Sequence, residues 1–168
     1  SVHEQRQAGE SATQFTRRMS EEKARSALDK WQDNEGRVVL AADTAVVCAG
    51  EIMGKPKDRN DAIAMLSQLS GAEHTVFSAV TVGTVDSRQT LVSQTTVEFR
   101  SIQQQEIINY WNTGEPRDKA GAYGIQGYAA VFVRSLSGSY SGVMGLPLYE
   151  TAQLLQAYSI TGTGSLNS

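Results

Sequence analysis

Cysteine is almost absent from this chain. Cys48 is the single one in 168 residues, so no internal disulfide forms, which fits a reducing compartment. Lying just after Ala45-Val46-Val47, it reads as a small buried hydrophobe. Histidine is scarce too: His3 and His74 lie far from each other and from Cys48, and no zinc constellation results. No apolar run approaches the ~20 residues of a membrane-spanning helix. The opening SVHEQRQ is not a signal peptide. The expectation is a cytoplasmic protein with no membrane partner. A basic excess is also missing. The net charge of −3 and a pI near 5.4 argue against an electrostatic nucleic-acid binder, and no nucleic-acid partner is expected. A small anionic ligand needs only a few local Lys and Arg. Several catalytic signatures are lacking as well: there is no Gly-Lys-Ser or Gly-Lys-Thr of a P-loop, no dinucleotide fingerprint, and no serine in a nucleophile elbow.

What is present describes a soluble globular domain, 40% apolar and 20% charged, long enough to bury a real core. Phe15, Met19, Ala27 and Trp31, with Ala12 one turn earlier, recur near helical spacing. Ser11 and Gln14 supply a capping box ahead of them. RVVLAA, residues 37–42, reads as a strand covered on both faces. Turn signals follow at Ala49-Gly50 and Lys55-Pro56. NDAIAMLSQLSG is a helix that Asn60 would cap and Gly71 would close. HTVFSAVTVGTV and QTLVSQTTVEFR form a long antiparallel hairpin across DSR. A helix ending at Gly114, a glycine-rich loop, a strand YAAVFVRSL, a loop SGSYSGVMGLP and a helix LYETAQLLQAYS complete the order. Helices alternating with strands, plus one hairpin, predict an α/β fold with a mixed sheet. One domain spans 1–160, and TGTGSLNS (161–168) is a flexible tail.

Asp43 is the most informative acid, because it interrupts the apolar stretch VVLAADTAVVC. An unpaired buried carboxylate is expensive, so such a residue is paired, metal-bound, or at a strand end facing a cleft. A helix or turn cap, helped by Thr44, accounts for the same pattern. Lys55 in GKP and Lys119 in PRDKAG read either as solvated lysines or as anion ligands. GAYGIQG, residues 121–127, holds three glycines around one Gln. Sharp bending, close backbone packing, or close approach of a ligand would each require them. A buried acid, loop lysines and a glycine-rich loop together make the parts needed to hold a polyphosphate with a divalent ion.

The ordered segments AADTAV, GKP, AIAMLSQLSG, GEPRDKAGAYGIQG and GSYSGVMGLPLYET resemble the signature of the Maf family of nucleoside triphosphate pyrophosphatases. The match runs from about Glu4 to Tyr158. The resemblance implies a single Maf-like domain, similar to inosine triphosphate pyrophosphatases, with a twisted mixed sheet, helices on both sides and a central cleft. It implies hydrolysis between the α and β phosphates of a nucleoside triphosphate, with Asp43 as the base for the attacking water. Lys55 and Lys23 correspond to phosphate-binding lysines, and Glu4 to an acid near the metal site. Asp43 and Glu4 would share a divalent ion, magnesium or manganese. Thr44 and Gln126 correspond to the residues of the branch that acts on dTTP and UTP, and Gln suits an imide edge because its amide both donates and accepts. A homodimer is implied in the same way.

The family's Ser-x-Ser-Pro-Arg-Arg loop and the strand before it have no counterpart here, since the chain starts at Ser1, just ahead of Glu4. Either the sequence is a fragment of a longer product or part of the site is lacking, and a missing strand would leave a sheet edge open. Two classes of function follow from the resemblance. One is a pyrophosphatase for dTTP, UTP and modified pyrimidine triphosphates. The other is a nucleotide-binding regulator of septum formation and cell division with little turnover. A purine substrate is disfavoured by Thr44 and Gln126.

Overall fold

The structure, a computed structural model, describes residues 5–30 and 36–160. Glu4, Trp31 and the tail 161–168 lie outside the described residues.

Helix α1 (Ala12–Asp29) opens on the expected capping box, in which Ser11 Oγ accepts from the Gln14 amide and the Gln14 side chain accepts from that of Ser11. Its buried stripe is Thr16, Met19, Ser20, Ala24 and Leu28, one position round from the expected Phe15 and Ala27. The small polar residues go inward because their hydroxyls are satisfied there. Thr16 Oγ1 donates to the Ala12 carbonyl at 2.8 Å. Ser20 Oγ lies 2.7 Å from Thr81 Oγ1 and 3.1 Å from the Ala41 carbonyl. Short side chains then let the helix lie close on the sheet.

The sheet has the order β2-β1-β3-β4-β5, with β1 Val39–Cys48, β2 Glu51–Met53, β3 Glu73–Gly83, β4 Arg88–Phe99 and β5 Val133–Ser137. All four pairings are antiparallel. The α/β class is as expected, but the mixed sheet is not found among the described residues. Ala49 and Gly50, both with positive φ, turn β1 into β2. Helix α2 (Arg59–Leu69) then carries the chain over to β3, which pairs with the other edge of β1. Strands β2 and β3 therefore run the same way but are separated by β1, and among the described residues no two parallel strands are neighbours.

β1 is one continuous strand through Asp43, not a strand ending at Ala42. Asp43 pairs in register with Ala79, and its neighbour Thr44 with Ser78. Successive side chains alternate faces. Asp43 thus rises on the α1 side, where Lys23 meets it, and a satisfied carboxylate has no need to end the strand. Among the described residues, β2 covers the outer edge of β1 only at Val46–Cys48, whereas β3 pairs along Val39–Val47 on the inner edge.

The other face carries the main core, where Val46, Leu66, Leu69, Val76, Val97, Phe99, Ile107 and Tyr110 pack together. It is covered by α2, α3 (Gln104–Asn112) and α5 (Leu148–Gln156), with Leu154 of α5 against Val80 and Val82. Three local expectations change. Asp58, not Asn60, caps α2 by accepting from the Asp61 amide. YAAVF, expected as strand, is a 3-10 turn, Tyr128–Phe132. It curls because the Arg100 amide donates to the Phe132 carbonyl and the Phe132 ring packs edge-on to Tyr110. The expected loop SGSYSGVMGLP contains α4 (Tyr140–Met144), capped by Ser139 Oγ, which accepts from the Gly142 amide.

His74 of β3 is 2% exposed and packs edge-on to Phe99 and Tyr123. Burial pulls its imidazole down from 6.5 to about 4. Between these values the unfolded chain binds the proton and the folded chain does not, so stability is full above pH 6.5 and falls as pH drops toward 4. The loss is expected to reach about 3 kcal/mol, read from urea midpoints across that window, and His74→Phe should flatten it. The Glu10 and Glu106 carboxyls, lowered from 4.5 to about 2 chiefly by hydrogen bonds from Arg18 and Arg100, add their own loss of stability only from about pH 4.5 downward, so the His74 contribution is read between about pH 6.5 and 5.

Candidate active site

The segment from Gly114 to Gly127 is laid against the β1–β2 corner. Its Gly121 amide donates to the Gly54 carbonyl at 3.1 Å. Gly121 has φ +69°, and a Cβ there would lie 3.0 Å from Val46 of β1. This contact ties the turn bearing Lys55 to the loop bearing Lys119 and Gln126. Facing them, α1 presents Lys23 and β1 presents Asp43 and Thr44.

A cavity of about 360 Å³ results, lined by Lys23, Asp43, Thr44, Lys55, Lys119, Tyr123, Gln126 and Gly145 among others. A second cavity of about 380 Å³ on the α1 side shares Lys23, Asp43, Thr44 and Lys55, and adds Arg6, Phe15, Met19 and Glu51. The structure thus brings together Asp43, Thr44, Lys23, Lys55 and Gln126. Glu4 cannot be placed among them, because it lies outside the described residues. Asp43 sits in mid-strand, so the cleft lies over the strand and its edge. The rule that ligands sit beyond strand carboxyl ends belongs to open parallel sheets and does not apply to an antiparallel one.

The charges are arranged for an anion. Lys23 Nζ lies 2.5 Å from Asp43 Oδ1, with the carboxylate 11% and the lysine 35% exposed. Lys119 Nζ lies 3.0 Å from Asp118 Oδ1. The Asp118 carboxyl is held below its ordinary value by Lys119, through hydrogen bond and charge, with Lys55 adding to it. Three ammonium groups therefore surround one cleft-facing carboxylate. Such an arrangement can offset the charge of an anion with a carboxylate oxygen beside it.

Tyr123 is not among the site residues the sequence points to, and Lys119 reads there as either a solvated lysine or an anion ligand. Lys119 was recognisable only as a second loop lysine, and nothing local separates it from a solvated one. Tyr123 lies inside the glycine-rich stretch, and its hydroxyl is 2.7 Å from His74 Nε2.

The glycines around Gln126 serve the loop itself. Glu115 Oε1 accepts from the Tyr110 hydroxyl at 2.7 Å, and Glu115 Oε2 from the Tyr128 amide at 2.9 Å. The Tyr110 hydroxyl in turn accepts from the Gly124 amide at 3.2 Å. One carboxylate fastens both ends of the stretch that carries Gln126. A Cβ at Gly127 would lie 2.1 Å from Glu115 Oε2, so a glycine is required for the carboxylate to reach Tyr128. Close packing, rather than room for a ligand, is the reason for it. Burial and the neighbouring Glu115 raise the Tyr110 hydroxyl well above its ordinary value, so it stays protonated and donates.

Comparison with known proteins fits this arrangement to one family. The family model described as "Maf-like protein" matches residues 1–158. The chain belongs to the Maf-like family. A relative from Saccharophagus degradans, named dTTP/UTP pyrophosphatase, is 47% identical over 161 residues, covering 95% of this chain and 76% of the relative. Relatives of the same name from Alkalilimnicola ehrlichii and Vibrio vulnificus are 49% and 46% identical, covering 90% and 89% of this chain and 76% and 79% of their own. No described helix of this Maf-like chain is long and apolar enough to cross a membrane.

Glu115 gives the test of the loop's construction. Glu115→Ala leaves the Tyr110 hydroxyl, on a residue 3% exposed, without its acceptor, and should cost about 1–3 kcal/mol in urea unfolding. Glu115→Gln keeps an acceptor for Tyr110 and should cost clearly less.

Proposed function

We propose that this protein hydrolyses dTTP and UTP, and modified pyrimidine triphosphates, to the nucleoside monophosphate and pyrophosphate. The observation that carries the proposal is the cavity in which the Lys23–Asp43 pair and Lys55 meet Thr44 and Gln126. The names of the relatives support the same substrates.

Asp43 aligns a water and accepts its proton as the water oxygen bonds to the α-phosphorus. The bond from that phosphorus to the α–β bridging oxygen breaks, and pyrophosphate leaves in line. Lys23, Lys55 and Lys119 offset negative charge on the phosphates as it shifts toward the leaving group. Thr44 and Gln126 hold the base.

Among the described residues no cluster of three or more His, Cys, Asp and Glu side chains stands ready for a metal. Asp43 faces the cleft with its carboxylate shared with Lys23. This donor set fits a hard ion that takes most of its ligands from phosphate oxygens and water, as magnesium and manganese do. Asp43 would be its ligand from the described residues, with Glu4 a further one, and the ion would supply charge neutralisation on the phosphates. A homodimer and a cytoplasmic location belong to the same proposal.

Pyrophosphate release from UTP and dTTP with magnesium is expected for the protein, and its absence would overturn the assignment in favour of a nucleotide-binding regulator. Asp43→Asn should lower kcat by about 10²–10⁴-fold in a protein whose far-ultraviolet circular dichroism is unchanged. Near-normal kcat in that folded variant would remove Asp43 as the base.

A further inference from the structure

The hydroxyl chain beneath Thr44 has a direction. Ser78 faces Thr44 across the β1–β3 ladder and is 1% exposed. Its Oγ lies 2.8 Å from Thr44 Oγ1 and 2.5 Å from the Gly142 carbonyl oxygen of α4. A carbonyl has no proton to give, so Ser78 is the donor to Gly142. A serine hydroxyl holds one proton, and that proton is placed. At the other contact Ser78 therefore offers a lone pair, and Thr44 must donate to it. The Thr44 proton points away from the cleft, and only lone pairs face the ligand.

The carbonyl that sets this direction is itself held. The Gly142 amide donates to Ser139 Oγ at 2.9 Å, and the Ser139 amide donates to Thr95 Oγ1 of β4 at 2.9 Å. A Cβ on Gly142 would lie 3.2 Å from Ser139 and Ser93 atoms, so α4 sits tightly on the sheet. The polarity of Thr44 is thus a property of the β3–α4 packing, not of Thr44 alone.

Resting on the pyrimidine reading above, we propose that Ser78 is a positioning residue that fixes Thr44 as a hydrogen-bond acceptor, so that the cleft selects a base carrying N–H at ring position 3. Uracil and thymine have that proton. Cytosine presents a lone pair there, and two lone pairs would face each other without a proton between them. Gln126 lines the same cleft, but its amide turned over exchanges donor for acceptor. It accommodates either exocyclic edge and cannot by itself separate uracil from cytosine. A group of fixed sense is needed, and Thr44 held by Ser78 provides it.

The test is kcat/KM for UTP and for CTP, with magnesium, in the wild type and in Ser78→Ala. Loss of the Ser78 hydroxyl lets the Thr44 hydroxyl turn and donate. The UTP-over-CTP preference should fall about tenfold, the worth of one hydrogen bond, with the CTP value rising as the UTP value drops. Ser78→Thr, which restores a hydroxyl, should restore the preference. A mere packing defect would lower both values together, and an unchanged ratio in folded Ser78→Ala overturns the proposal. If that variant does not fold, Thr44→Val decides: it keeps the shape without the hydroxyl, and a full wild-type preference there overturns the proposal equally. If the wild type releases no pyrophosphate, the enzyme reading fails. The ratio of UMP to CMP affinity by calorimetry, in wild type and Ser78→Ala, then decides the role of Ser78 separately.

Discussion

A carboxylate placed inside an apolar strand needs a cation, and the candidate site is organised around that need. Asp43 lies between Ala42 and Thr44 in the otherwise largely apolar β1 and meets Lys23 of α1 at 2.5 Å. The pair lets β1 run on through Asp43 and seats α1 at one height above the sheet. Removing Lys23 would take an ion-pair partner from a carboxylate that is only 11% exposed, which is costly. Helix, strand and cleft are therefore positioned together. The same ammonium faces the cavity, so an anion entering would compete with Asp43 for Lys23.

Alternation along β1 divides the labour. Asp43 and Thr44 are adjacent, so their side chains leave opposite faces of one strand. Asp43 lies on the side of α1 and Lys23. Thr44 lies on the side of Ser78 and α4. A ligand touching both must pass over the outer edge of β1, where β2 reaches only Val46–Cys48 among the described residues. In the proposed reading, chemistry and base recognition are thereby separated by the thickness of a strand, yet assigned to two adjacent residues. A register slip of one position would exchange them, which makes the long β1–β3 ladder, Val39 to Val47, part of the site's construction.

Much of this was legible in the sequence, and the failures have physical causes. The capping box at Ser11 and the β3–β4 hairpin were readable because caps and alternation are local signals, Asp43 and Lys55 stood out as candidates, and Lys23, Thr44 and Gln126 came only from the resemblance to the Maf family. Asp43 as a strand end was wrong, because a distant lysine supplied what a strand end would have supplied. The α/β class held, but a mixed sheet is not found among the described residues, because the alternation of helices and strands fixes their order and not which edge of β1 the third strand takes. Ser78 was invisible for a related reason. Nothing in FSAV marks that serine; only the register opposite Thr44 and the carbonyl of Gly142 give it meaning.

The glycine-rich loop shows how recognition is made rigid without a regular element. Gln126 itself is exposed, and an exposed side chain on a loose loop would lose much of its binding energy to ordering. Here the backbone on both sides is fastened to a single carboxylate: Gly124 through Tyr110 to Glu115, and Tyr128 directly. Tyr110 belongs to α3 and is buried in the core, so the loop inherits the stiffness of that core. The glycine at 127 is what allows Glu115 to reach across. The entropy a glycine costs in folding is thus offset by a frame that fixes the backbone around Gln126, so that in the proposed reading the amide needs only to choose which of its two ends to offer the base.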